Sequence, residues 1–470
     1  MKKILGILGT ITITGSGMTG VVGNAPVLTK NEINYLQRYK RSKNKPIIID
    51  SYQNKIEITP IWTDLEKTFG GLTTVISNTI SIVSTNNQQL YYLDVTKPAR
   101  ERWVDLGKQS GSNIKVSNTS VIVQEFKTDE LWYLDFSNPY SPVWTDLGKK
   151  VTFGPTQMSN TVFIILEKDT NELYYLDVTK PASERWVDLG KNIMNPPWYG
   201  HVSSAITFIM EKNTQKLWYL DFSNPYNPVW TDLDKNANNA ITIISSTTAF
   251  ILEYNTNKLW YLDFSNPKNP IWNDLGKQGS LGYVIKFTTT TALFVEKNTQ
   301  KLWYLDFSNP YNPVWTNLEE VIKVSDSGVT KTTNTTSFIM EYNTNKLWYL
   351  DFSNPKNPIW NDLGKQGSLS WFLSNNKFMF LEWIPDLGPS TIWHLDFSNP
   401  KNPIWTNLSG DIKVFSFYKM SDTLFLVWWR DSNKIYKLEI KNIELKLNDL
   451  ENRINNLANS SKVLAKGGTL

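Results

Sequence analysis

The stretch KLWYLDFSNPKNPIWNDLGKQGSL occupies Lys258–Leu281 and returns unchanged at Lys346–Leu369. Its first half, KLWYLD, also stands at 216–221, where Leu217 and Tyr219 point to one side of an extended chain and Trp218 and Leu220 to the other. Both sides are apolar, so a sheet built from it needs cover on both faces. A two-sheet sandwich with one polar face does not supply that cover. Radially stacked four-stranded sheets do, because each sheet is covered by its neighbours.

The stretch belongs to a longer pattern. LWYLD or a close relative ends at Asp94, Asp135, Asp177, Asp221, Asp263, Asp306, Asp351 and Asp396, with IYKLE ending at Glu439 as a weaker ninth copy. The element Trp-x-Asp/Asn-Leu begins at Trp62, Trp103, Trp144, Trp186, Trp230, Trp272, Trp315, Trp360 and Trp405. Each Asp from Asp94 to Asp396 lies nine residues before its Trp, whereas the step from Trp to the next acid varies between 32 and 36 residues. Part of the unit is rigid and part accepts insertions. A representative unit holds two apolar runs joined by Asn-Thr-Gln-Lys in TFIMEKNTQKLWYLDF (207–222), a hairpin signature. A Pro-stiffened SNPYNP turn, the strand VWTDL and an upstream strand complete four short strands.

The ends of the pattern are complementary. IEITPIWTDL (56–65) reads as a fourth strand with no preceding three, and the segment after Trp405 supplies three strands with no fourth. Pairing the two completes a composite unit. The predicted fold is therefore all-β: a β-propeller of about nine four-stranded blades, with eight as the alternative, over residues 56–440. The run Tyr-x-Asp, turn, Trp-x-x-Leu resembles the second half of a kelch repeat. The Gly-Gly pair of that family is missing, and the period is about 42 residues rather than about 50. The resemblance implies propeller architecture; that family includes enzymes, scaffolds and lectins.

Composition narrows the chemistry. The 470 residues contain no Cys and two His, His201 and His394, which leaves no thiolate chemistry, no familiar zinc set and no Ser-His-Asp set. A formal charge of +4 gives no reason to expect a nucleic-acid partner. The acids are copies in equivalent positions, so no pair of unlike carboxylates stands out for glycoside hydrolysis. Arg100, Arg102, Arg185 and Arg430 are the only arginines of the repeat region, a scarcity that weakens the case for a triple-Arg carboxylate clamp. No catalytic residue, metal site or cofactor is expected.

The repeated residues read as structural. Trp103, Trp144, Trp186, Trp230, Trp272, Trp315, Trp360 and Trp405 are expected to pack between blades, each burial contributing about 2–3 kcal/mol. Asp135, Asp221, Asp263, Asp306 and Asp351 are expected to accept backbone N–H groups of the SNP turn. Function is then expected where the copies disagree. NIMNPPWYGH (192–201) presents Trp198, Tyr199 and His201, and EWIPDLGPS (382–390) presents Trp383 and Asp386.

The flanks differ from the repeats. Lys2 and Lys3, an apolar run over 4–13 and small residues towards Ala25 read as a signal peptide (1–25), followed by a basic tether (26–55). The leader resembles those of exported proteins of mollicutes, the wall-less bacteria. Residues 441–460 are predicted to form an amphipathic, coiled-coil-like helix before a tail (461–470), with Ile440, Leu447 and Ile454 at a and Ile443, Leu450 and Leu457 at d. Residues 440–458 could thereby join copies into a homo-oligomer. The functional expectation is an exported or surface-held binding protein attaching to a host surface protein or glycan. A multivalent lectin, an envelope scaffold and, last, a secreted hydrolase are the alternatives.

Overall fold

The computed structural model describes residues 56–444 except 153, 194–197, 212–213, 319–321, 375–376, 385–387, 401, 411 and 430. The predicted leader, the tether and the tail 461–470 lie outside the described residues. Two compact units are distinguished. Pro60–Glu439 contains the repeats, while residues 56–59 and 440–444 are the described part of the other unit and are extended. Among the described residues there is no α-helix.

The first repeat shows the local logic. Strands β1 (Ile56–Val75), β2 (Ile80–Thr85), β3 (Gln89–Asp94) and β4 (Trp103–Lys115) pair antiparallel in order. β4 does double duty: Trp103–Gln109 pair backwards with β3, and Ser110–Lys115 pair forwards with Ser120–Glu125. The chain bends between the halves at Gly107, whose φ of 85° favours glycine. Its N–H donates to the Asp105 carboxylate at 2.8 Å. The expectation of four separate strands per unit is thus corrected. An Asp-Leu-Gly bulge lets one strand end one sheet and open the next, as it does again over Ile271–Lys286 and Ile359–Ser374.

Both faces of the sheets are covered. Strand Thr248–Glu253 buries four consecutive residues, Ala249 to Leu252, a pattern that needs neighbours above and below. Each apolar cluster spans two successive units. Phe208, Met210 and Leu217 pack with Ala249, Ile251 and Leu262, while Phe250, Leu252 and Leu259 pack with Ala292, Phe294 and Leu305. The last unit packs on the first in the same way, joining Met420, Leu426 and Ile435 to Leu65, Phe69 and Val83.

The repeated tryptophans record the closure. Each indole Nε1 donates to the carbonyl of the Leu that lies three residues after the previous Trp, from Trp103→Leu65 to Trp405→Leu363. Trp62 donates to Leu408, across 346 residues of chain. These bonds, 2.7–3.2 Å long, form one cycle with nine members, the number a nine-blade ring requires. Phe69 N–H donates to the Asn433 carbonyl at 2.8 Å and Lys434 pairs with Asp64 at 2.7 Å, so the two chain ends share one sheet. The unit is a β-propeller.

Trp360 illustrates what one such ring contributes. It is half-buried, bonded to the Leu318 carbonyl at 2.9 Å and set edge-on to Trp348. Trp360→Ala is expected to cost about 3 kcal/mol in a denaturant titration, from lost apolar contact and one orphaned carbonyl. An unchanged midpoint would show the ring to be dispensable.

The C-terminal helix is corrected where it can be seen. Lys434–Glu444 is one strand, so Ile440 and Ile443, the first a and d positions, lie on an extended chain of period two and cannot share a helical seam. The segment extends the strand whose residues 435–439 pair with Leu424–Trp428, rather than starting a new element. Leu447, Leu450, Ile454 and Leu457 lie outside the described residues.

His394 replaces the Tyr of LWYLD in its unit and is 2 % exposed, with no hydrogen-bond partner on Nδ1. Burial, aided by the charge of Lys377 and opposed by Asp396, lowers its pKa from 6.5 to about 4. Between those values the unfolded chain binds a proton that the folded one refuses. Its contribution to stability is present above pH 6.5 and lost as pH falls towards 4, a change of roughly 2–4 kcal/mol. His394→Tyr, the residue of the other copies, is expected to flatten the stability profile over that window. A slope identical to that of the unaltered protein would refute this assignment.

Candidate binding face

The turns that follow LWYLD are built by side chains accepting backbone N–H groups. Asp135, Asp221, Asp263, Asp306, Asp351 and Asp396 each take the N–H of the Ser two residues on, at 2.8–3.0 Å. The next Asn repeats the device: Asn138 accepts from Tyr140 at 3.2 Å and Asn309 from Tyr311 at 3.1 Å. Two nested turns, stiffened by Pro, hold the following side chain outward.

In three units that side chain is tyrosine. Tyr140, Tyr226 and Tyr311 are 69 %, 69 % and 66 % exposed. Elsewhere the position is Ala99, Ala182, Lys268, Lys356 or Lys401. Val143, Val229 and Val314, three residues on, are exposed as well. Each of these three units therefore presents a tyrosine and a valine together to solvent.

Each exposed tyrosine has a half-buried companion from the preceding unit. Burial, the Asp94 charge and Tyr140 raise the pKa of Tyr92; the same causes, with Asp177 and Tyr226, raise that of Tyr175. Tyr261 is raised likewise by burial, against a hydrogen bond with Thr248, and by Asp263 and Tyr311. Tyr92 also rests on Phe136 at 6.0 Å, Tyr175 on Phe222 at 6.0 Å and Tyr261 on Phe307 at 6.3 Å. The junctions thus carry three equivalent sets: Tyr92, Asp94 and Tyr140; Tyr175, Asp177 and Tyr226; Tyr261, Asp263 and Tyr311. A ring face for stacking beside a carboxylate oxygen for hydroxyl groups is the chemistry of sugar recognition.

The residues singled out in the non-repeating stretches are placed differently from expectation. Trp198 and Tyr199 belong to a strand, Trp198–Ser203, paired with Met210 and Ile209. The stretch expected as a loop over 192–201 is strand from Trp198 on, where 198–203 supplies the first strand of its unit, while 194–197 lie outside the described residues. His201 is exposed, with Nε2 3.0 Å from the Met158 carbonyl. Trp383 pairs with Pro389 and Ile384 with Gly388, so a lengthened hairpin replaces most of the loop expected over 382–390. Asp386 lies outside the described residues. Trp198, Tyr199 and His201 share one strand, and Trp383 lies in a different sheet. The tyrosines were missed because their turn recurs; the signal available was Tyr alternating with Ala or Lys inside an otherwise constant turn.

At the opposite ends of the same strands, lysines meet the repeated aromatics. Lys108 Nζ lies 3.6 Å from the Trp132 ring centroid and 3.6 Å from Glu125; Lys277 lies 3.4 Å from Trp303 and 3.3 Å from Glu296. Burial opposes ionisation of Glu296, yet the Thr299 hydroxyl and the Lys277 charge hold its carboxyl below the usual range. Among the described residues no cluster of three or more acidic or histidine side chains is placed to hold a metal ion.

No protein-family model matches the chain, and no curated protein does. Solved structures similar to it include a eukaryotic initiation factor, at 10 % identity over 72 % of this chain and 87 % of that one, with a TM-score of 0.49. The dihydro-heme d1 dehydrogenase NirN is similar at 10 % identity over 74 % and 78 % of the two chains, TM-score 0.43. BamB from Moraxella catarrhalis is similar at 11 % over 69 % and 95 %, TM-score 0.39.

Proposed function

We propose that the protein is an exported, surface-associated β-propeller that attaches to host glycans through several equivalent weak sites. The observation that supports this most is the threefold recurrence of a half-buried Tyr, an Asp and an exposed Tyr between successive units. Equal sites favour binding over turnover. A hydrolase concentrates unlike carboxylates at one place, whereas here each Asp is a copy engaged with its own turn. Three linked sites multiply weak affinities, by about 10²–10⁴ when geometry permits simultaneous contact. The positive n-region and apolar run at the N-terminus support export.

A glycan array probed with residues 26–470 tests this reading. The expected result is binding to multivalent glycans that free sugar competes away. Retention of a host protein with no glycan signal would replace it with attachment through a single protein contact. Steady release of sugar from the array would replace it with hydrolysis.

A further inference from the structure

Five residues after seven of the nine ring tryptophans, the sequence carries Lys67, Lys108, Lys149, Lys191, Lys235, Lys277 and Lys365. All seven ammonium groups sit over an aromatic ring of the next unit. The distances to the ring centroids are 3.8, 3.6, 3.5, 2.9, 3.6, 3.4 and 3.4 Å, for Tyr91, Trp132, Tyr174, Trp218, Trp260, Trp303 and Trp393. In the first six, a ring tryptophan stands 5.2–5.7 Å away as a second wall. A glutamate completes the box where Glu125, Glu167, Glu253, Glu296 and Glu382 reach the lysine within 2.9–4.0 Å. Aromatic faces and one carboxylate form a receptor for an ammonium group.

Two junctions lack the lysine: at Gly410 the paired rings are Trp62 and Tyr436, with Trp429 in the place of the glutamate, whereas the other keeps both tryptophans and its glutamate. Trp348 and Trp360 meet edge-to-face at 6.4 Å and 80°, as Trp303 and Trp315 do at 6.5 Å and 88°. Glu341 accepts from the Trp348 Nε1 at 3.3 Å, the bond Glu296 makes with Trp303 at 3.3 Å. The residue five after Trp315 is Glu320 rather than Lys. Among the described residues no ammonium lies over Trp348.

We propose that Trp348, Trp360 and Glu341 bind an alkylammonium group from outside the chain, of the kind a lysine side chain presents. The boxes of Lys108, Lys149, Lys235 and Lys277 show which cation the geometry accepts: a primary ammonium on an alkyl stem, laid against two rings with a carboxylate beside it. A metal ion would lose its water shell to rings that offer no oxygen, whereas an alkylammonium keeps its stem on apolar surface. The proposal does not depend on the glycan reading, since it uses the opposite ends of the strands and other residues.

The test is fluorine NMR of the full chain labelled with 5-fluorotryptophan, with the Trp348 and Trp360 signals assigned by single Phe substitutions. Titration with n-butylammonium chloride is expected to shift those two signals to saturation. Glu320→Lys, which leaves both rings in place and supplies an internal lysine, is expected to abolish the shift, and Glu341→Gln to weaken it about tenfold. Saturation unchanged in Glu320→Lys, or no shift in the unaltered protein, would overturn the proposal. So would tighter binding of tetramethylammonium than of n-butylammonium. A lysine-bearing peptide that competes with n-butylammonium assigns the cation to a partner chain; failure to compete assigns it to a free amine.

Discussion

Phe69→Ala is expected to lower the unfolding free energy by about 3–5 kcal/mol, a third or more of what a typical domain possesses. Phe69 is 4 % exposed and touches Tyr418 at 5.9 Å and Trp428 at 4.6 Å between ring centroids. Its backbone N–H donates to Asn433, 364 residues away, and its carbonyl accepts from the Asn433 side chain at 3.4 Å. The site is the seam where the chain's two ends join. A cavity there removes apolar contact and also weakens the only sheet that holds the ring shut among the described residues. Denaturant titration followed by tryptophan fluorescence measures the loss. Phe126→Ala, at a ring 42 % exposed, serves as the control and is expected within about 0.5 kcal/mol of the unaltered protein. Equal effects at the two positions would show that closure contributes nothing special.

The second large effect is on attachment. Replacing Tyr140, Tyr226 and Tyr311 together by Ser is expected to reduce glycan-array binding at least a hundredfold while leaving the unfolding midpoint within error. The three rings are exposed, so folding loses little when they go. Avidity makes the loss steep: with none of the three sites intact, both the single weak contacts and their linkage are gone. Surface plasmon resonance on an immobilised multivalent glycan gives the comparison, with each single substitution expected to cost less than a third of the total in logarithmic terms. Full binding by the triple variant would remove these tyrosines from the site.

Much of the architecture was legible because it is written in local periodicities. Leu and Tyr alternating with Trp and Leu fixes strand faces, and apolar character on both faces demands neighbours on both sides. The orphan strand at 56–65 and the orphan strands after Trp405 announce closure because hydrogen-bonding edges must be satisfied. Asp in the SNP turn was readable for the same reason: its partner lies two residues away.

Other features depend on what lies roughly forty residues off. The indole of each repeated Trp was expected to pack, yet its hydrogen bond to a Leu carbonyl of the previous unit follows only once the units are stacked. The stretch at 198–203 gave up its loop reading because a unit short of one strand recruits it. Ile440 and Ile443 fit a heptad, but the strand paired over 435–439 runs on to Glu444 and keeps both residues extended. The Tyr92–Tyr140 junction and the lysine-free box at Trp348 lie between units.

The sequence by itself determined the strands, the turns and the cyclic arrangement, because each rests on contacts within a few residues or on complementary chain ends. The tertiary structure decided which copies of a repeated residue face solvent and which rings meet a lysine. Those properties belong to the junctions between units, where one altered residue, Tyr for Lys at 311 or Glu for Lys at 320, changes a neighbour's surroundings without changing its own strand.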